Sequence, residues 1–213
     1  MPTLTLLCSA VLPCAAAPEP AAARADAGWI LQKLARPAPM RTAFVELRGS
    51  PMLKAPLRIE GEYRRPDNDT LVREVRSPYV ETTTLRNGQA TLARAGKTPR
   101  TFALSRVPEL AGLQASFGAL LAGDRALLEK RYRLSTQGTR QQWTLVLVPL
   151  DAQVKASVRD ITLHGRGAEL RCIETRPVKG DLQRTLMAGA AHQAAKATTA
   201  TALAALCRAG NAS

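Results

Sequence analysis

The side chains of this 213-residue chain that could do chemistry are few: two histidines, four cysteines and a pair of aspartates in one turn. His164 precedes Gly165 at the end of a predicted strand, and His192 lies in an Ala-rich stretch near the C-terminus. Nothing in their spacing joins them to a nucleophile or to further metal ligands, so surface or turn histidines are expected. Asp67 and Asp69 flank Asn68, where Asx side chains close turns; no glutamate stands at the spacing a helix-loop-helix calcium site requires. The chain has no glycine-rich phosphate loop, no G-x-S-x-G, no C-x-x-C and no H-E-x-x-H. The expectation is a protein without a catalytic set, metal or cofactor, hence not an enzyme.

Cysteine placement depends on compartment. Cys8 and Cys14 fall in "LTLLCSAVLPCAAA", an apolar run of export-signal length, too short to span a bilayer and followed by small residues that suit cleavage after Ala23 or Ala25. Residues 1–25 therefore read as a signal peptide, with residues 26–188 as the folded domain and 189–213 as an Ala-rich frayed helix or loose tail. Export leaves Cys172 and Cys207. An oxidising compartment permits a bridge between them, and two unpaired thiols are the alternative.

The formal charge is +13, from 30 Lys and Arg against 17 Asp and Glu. That balance favours anionic partners such as nucleic acid, a membrane surface or acidic headgroups, without choosing among them. Nucleic acid is the poorest fit. Single-strand binders interleave basic residues with stacking aromatics, and here Tyr63, Tyr79, Tyr132 and Trp143 are spread singly.

The elements that must position any site come next. "DAGWILQKL" reads as a short helix capped by Asp26. Strands follow at 42–49, 57–65, 70–75, 79–86, 89–94 and 100–104, with Asn87-Gly88 the clearest hairpin turn. In "LRIEGEYRR", Leu57, Ile59, Gly61 and Tyr63 share one parity and Arg58, Glu60, Glu62 and Arg64 the other, before the strand halts at Arg65-Pro66. The period then changes to 3.6. Leu110, Leu113, Phe117, Leu120 and Leu121 form an apolar helical stripe that ends at Gly123, and Asp124 caps a second short helix. Strands resume at 132–138, 141–149, 158–165, 168–175 and 182–188. Trp143 to Val148 is apolar on both parities, which predicts cover on both faces. One domain of antiparallel meanders results, with the helices covering the apolar face.

In this order the motifs resemble the LolA superfamily of periplasmic lipoprotein carriers. The marks are the leading helix, "LRIEGEYRRPD", "PYVETTTLRNGQATLARAG", the helical insert "LAGLQASFGALLAGD", and "WTLVLVP" followed by "ITLHG". The resemblance implies a mainly β, α+β fold: a single curved, incomplete antiparallel barrel with a helical lid. It implies a periplasmic, monomeric carrier that takes acyl chains from an inner-membrane donor and hands them to an outer-membrane acceptor. Cargo would lie between Leu57, Ile59, Tyr63 and Trp143 of the sheet and Leu113, Phe117 and Leu120 of the lid. Arg65 would be the latch, because carriers of this family place an arginine directly before a proline there and bond it to the lid. The aromatic-rich cavity of those carriers is replaced here by aliphatic residues, so lipoprotein and other acyl or polyene lipids both stay open as cargo. Two other readings stay open: a closed core without a cavity, built from the same residues, and a module that binds an anionic surface polymer through the basic outer face.

Overall fold

The computed structural model describes residues 23–48, 57–106, 119–196 and 199–208. Among these residues eleven antiparallel strands form one open sheet: β1 (Met40–Arg48), β2 (Leu57–Arg65), β3 (Thr70–Ser77), β4 (Glu81–Arg86), β5 (Gln89–Arg94), β6 (Arg100–Ala103), β7 (Tyr132–Gly138), β8 (Trp143–Pro149), β9 (Val158–Arg166), β10 (Glu169–Pro177) and β11 (Gln183–Met187). The order across the sheet is β6-β5-β4-β3-β2-β1-β11-β10-β9-β8-β7. Each half is a meander of sequence neighbours, and the halves join where β1 pairs with β11, Phe44 opposite Met187. Asn87 and Gly88 both have positive φ, as their two-residue hairpin requires.

Helix α1 (Ala27–Leu34) starts where Asp26 accepts the N–H of Trp29 at 3.0 Å. Helix α2 (Arg125–Glu129) is capped by Asp124, which accepts the N–H of Leu127, and the helical residues 119–122 stop at Gly123 with φ +70°. These short helices cover one face of the sheet. Their buried cluster joins Ile30, Leu31 and Leu34 of α1 to Ile59 and Val75 on β2 and β3, and to Tyr132, Trp143 and Leu145 on β7 and β8. Strands so far apart in sheet order share one core only if the sheet curls around the helices, so the fold is an incomplete barrel. Close packing fixes that curl. Trp143 lies opposite Gly165, where an added Cβ would stand 2.0 Å from the indole Cζ2, and its indole N–H donates to the carbonyl of Gly167 at 2.9 Å.

Two expectations change. On β8 the odd positions Trp143, Leu145 and Leu147 are buried, but Thr144, Val146 and Val148 are only half-buried, so that strand is covered fully on one face. A short helix, α3 (Ala152–Ser157), follows it, capped by Asp151, where none was expected.

Where it is described, at 189–196 and 199–208, the C-terminal stretch is helical and docked rather than frayed or loose. Helices α4 (Ala188–Gln193) and α5 (Ala200–Arg208) dock on the outer face of the sheet. Ala190, Ala191, Ala194, Leu203 and Cys207 bury against Val45, Leu47, Cys172 and Leu186 as a second cluster. The Cys172 and Cys207 sulfurs are bonded across a sequence separation of 35.

A candidate lipid cavity under the helices

The cavity lies where α1, the residues 119–122 and the joining strands meet. It has a volume of about 270 Å³. Leu34 comes from α1, Leu120 and Leu121 from the helical residues before Gly123, Met40 and Tyr63 from β1 and β2, Leu71 from β3, and Leu170 and Met187 from β10 and β11. The alternation read from β2 explains Tyr63: residues of its parity face the helices, where Ile59 is fully buried. The Tyr63 ring packs on Phe44 at 4.8 Å between centroids. Burial raises the Tyr63 phenol above its ordinary pKa of 10.0, and the Arg73 charge and its hydrogen bond partly offset this.

Arg65 is 7% exposed and lines the same cavity. Its Nη1 donates to the carbonyl oxygen of Arg36 at 2.9 Å and its Nη2 to Asn68 Oδ1 at 3.1 Å. The N–H of Arg36 donates in turn to the carbonyl of Leu121 at 2.9 Å. One peptide segment after α1 thus ties the end of β2 to the helix over the cavity. The rigid donor fork of arginine suits that task, since it can hold two acceptors at once. Asp67 closes the turn beyond Pro66 by accepting from the Asp69 N–H and the Thr70 hydroxyl, which commits its carboxylate to local structure.

Of the residues expected at the site, Tyr63, Leu120 and Arg65 line the cavity. Ile59 and Trp143 belong to the solid core, and the half-buried Leu57 packs against it. Leu113 and Phe117 lie outside the described residues. Leu34, Met40, Leu71, Leu170 and Met187 were not singled out as site residues. Leu170 and Met187 reach the cavity because β11 lies beside β1 with β10 next to it, and no local pattern announces that pairing.

The concave face is not uniformly apolar. Glu46, 5% exposed, holds Arg48 at 2.8 Å and Arg73 at 2.9 Å, and Arg73 stacks over Phe44. This ionic cluster bridges β1 and β3 and meets the cavity lining where Arg73 hydrogen-bonds Tyr63. On the outer face, His164, Glu174 and Cys207 offer three donor atoms within 4.8 Å of one another. Their chemistry is already committed: Cys207 is bonded to Cys172, and Glu174 bridges His164 at 3.2 Å and Arg184 at 2.6 Å. That geometry fits a structural ion pair better than a metal site.

The hydrogen bond from His164, with help from Arg184 and against the cost of burial, lowers the Glu174 pKa from 4.5 to about 2. A depressed carboxylate stabilises the fold above its unfolded pKa and loses that contribution as pH falls through the folded one. Stability should therefore drop between about pH 4.5 and 2, by up to about 3 kcal/mol from this group. Urea midpoints of wild type and Glu174→Gln at several pH values check it. The variant should be weaker at neutral pH and flatter through that acidic window.

The profile of the family described as "Outer membrane lipoprotein carrier protein LolA-like" matches residues 16–210. Among solved structures, a LolA superfamily protein from Nitrosomonas europaea aligns at 12% identity and TM-score 0.40, covering 75% of this chain and 90% of that one. The MucA/MucB complex of Pseudomonas aeruginosa aligns at 18% identity and TM-score 0.40, covering 76% of this chain and 56% of that one. LprF from Mycobacterium bovis aligns at 12% identity and TM-score 0.33, covering 76% and 91%. Likenesses this distant carry no argument about ligands. No curated protein matches the chain significantly. The family match spans nearly the whole sequence, including the docked C-terminal helices, and on that ground the chain belongs to the LolA-like family.

Proposed function

We propose that this protein is a periplasmic carrier that binds the acyl chain of a lipid or lipoprotein under its helices and passes it toward the outer membrane. The observation that carries the proposal is the apolar cavity closed by the Arg65–Arg36–Leu121 tie. Burial of hydrocarbon contributes about 0.8 kcal/mol per methylene, so a partly inserted chain is held firmly without covalent chemistry. Release then needs the tie to open. A donor at the inner membrane and an acceptor at the outer membrane complete the scheme, with the carrier acting as a monomer and without a cofactor. Among the described residues no helix is long and apolar enough to cross a membrane.

Native mass spectrometry with lipid extraction of protein from the periplasm tests the reading. Acyl lipid at stoichiometric level supports it. Co-purified oligosaccharide would move the assignment to a polymer-binding module. Two variants sharpen the test. Leu120→Asp places a carboxylate in the lining and should strip bound lipid while the fold survives; failure to fold would mark a plain closed core. Arg65→Leu removes charged donors worth about 1.5–3 kcal/mol. It should keep lipid bound at equilibrium but speed transfer to acceptor vesicles about tenfold or more. Unchanged transfer would remove Arg65 from the mechanism.

A further inference from the structure

The cavity is mostly apolar, but several arginines contribute to its lining. Arg36, Arg41, Arg64 and Arg65 all contribute to its lining, against one carboxylate among the described lining residues, Glu169. Glu169 is committed elsewhere: it accepts the N–H of Gly189 at 2.8 Å and lies 3.5 Å from Arg171. Arg65 spends its hydrogen bonds on neutral oxygens. Arg36 does the same, donating to the carbonyls of Lys33, Ala35 and Ala168.

Arg41 and Arg64 stand directly opposite each other in the β1–β2 pairing, on the face turned away from the helices and one residue from the rim formed by Met40 and Arg65, a register in which like charges repel. Glu62 and Glu74 only partly offset this. Arg41 lies 3.6 Å from Glu62 with its side chain 77% exposed, and Arg64 lies 2.9 Å from Glu74. Both carboxylates are also shared with Arg76. The Arg64 Nε is buried and makes no hydrogen bond. A second hollow, about 370 Å³, adjoins the cavity and shares Met40, Arg41 and Arg64 with it.

We infer that the cargo is a single-chain amphiphile with an anionic headgroup: the chain lies in the apolar cavity and turns over the sheet rim at Met40, so that the carboxylate or phosphate of the headgroup sits between Arg41 and Arg64 in the adjoining hollow on the other face. The cavity volume, 270 Å³, falls just under the range of about 300–1,000 Å³ for small-molecule pockets, which suits one chain rather than several. Guanidinium forks pair with carboxylate and phosphate oxygens more strongly than with neutral groups. The inference rests on the carrier reading and narrows it to a class of lipid.

Two fluorescent probes of identical chain separate the claims: cis-parinaric acid, anionic at pH 8, and its neutral methyl ester. The full chain should bind the acid about tenfold more tightly than the ester, as one charge-assisted contact gives. The preference should shrink with added salt. In Arg41→Gln combined with Arg64→Gln, the ratio of the two affinities should fall toward one, with melting temperature reporting that the fold is intact. Equal affinity for acid and ester in the wild type overturns the headgroup site while leaving the carrier reading standing. Binding of neither probe overturns both. A preference that survives in the double variant also overturns the assignment to this pair. Should the double variant fail to fold, the wild-type ratio and its salt dependence decide alone.

Discussion

Replacing Gly61 with alanine is expected to cost about 3 kcal/mol or more, enough to lower the melting temperature by about 10 °C. An added Cβ would stand 1.9 Å from the carbonyl oxygen of Glu74 and 2.9 Å from the Phe44 ring. The first of these neighbours is backbone of the adjoining strand, at the register shift between β2 and β3, so no rotamer change relieves the clash. Phe44, the cross-strand partner of Gly61, occupies the space that a side chain would take. Alanine would therefore push β3 away, lose ladder hydrogen bonds and disturb the aromatic contact beside Tyr63. Thermal unfolding followed by circular dichroism checks this. A Gly61→Ala protein within about 2 °C of wild type would mean that β2 and β3 are not packed as described.

The second large effect concerns the C-terminal helices. Cys172 of β10 and Cys207 of α5 close a loop with a sequence separation of 35. A bridge of that span restricts the unfolded chain and stabilises by about 3–4 kcal/mol. Reduction should lower the melting temperature by about 10 °C and expose α5 to proteolysis ahead of the barrel. Thiol alkylation supplies the direct measurement. Both cysteines should resist labelling in oxidised protein and react after reduction. Equal labelling with and without reductant, together with an unchanged melting temperature, would show that α5 is held by packing alone. Cys172→Ala with Cys207→Ala should reproduce the reduced behaviour, because both sulfurs are fully removed from solvent in the second cluster.

The strands were legible because period-two alternation and turn chemistry agree along most of the chain. β2 and β5 begin and end where alternation and Asn87-Gly88 place them. The caps were legible for the same local reason, since Asp26 and Asp124 each precede an apolar helical turn. The docking of α4 and α5 was not. Ala190, Ala191 and Ala194 are buried because small side chains let a helix lie close to the sheet, and alanine gives almost no periodic signal of that role. The cavity was half legible. Tyr63, Leu120 and Arg65 follow from local pattern and resemblance, whereas Ile59 and Trp143 are the same kinds of residue placed in solid core. Whether an apolar side chain fills a core or lines a hole depends on what stands opposite it, and here that is decided partly by β11 arriving beside β1 with β10 next to it.

That central pairing also governs how the protein reaches its folded state. β6 through β1 can assemble from hairpins, and so can β7 through β11, but Phe44 cannot meet Met187 until the last strand exists. The seam is therefore the slow, non-local step, and it comes late in any order of assembly. Until it forms, β1 and β11 each present an unpaired edge flanked by apolar side chains such as Val45 and Leu186, which are buried under the C-terminal helices in the finished molecule. Such edges template association between chains. A chain truncated before β11 should accordingly aggregate rather than persist as a soluble half-sheet.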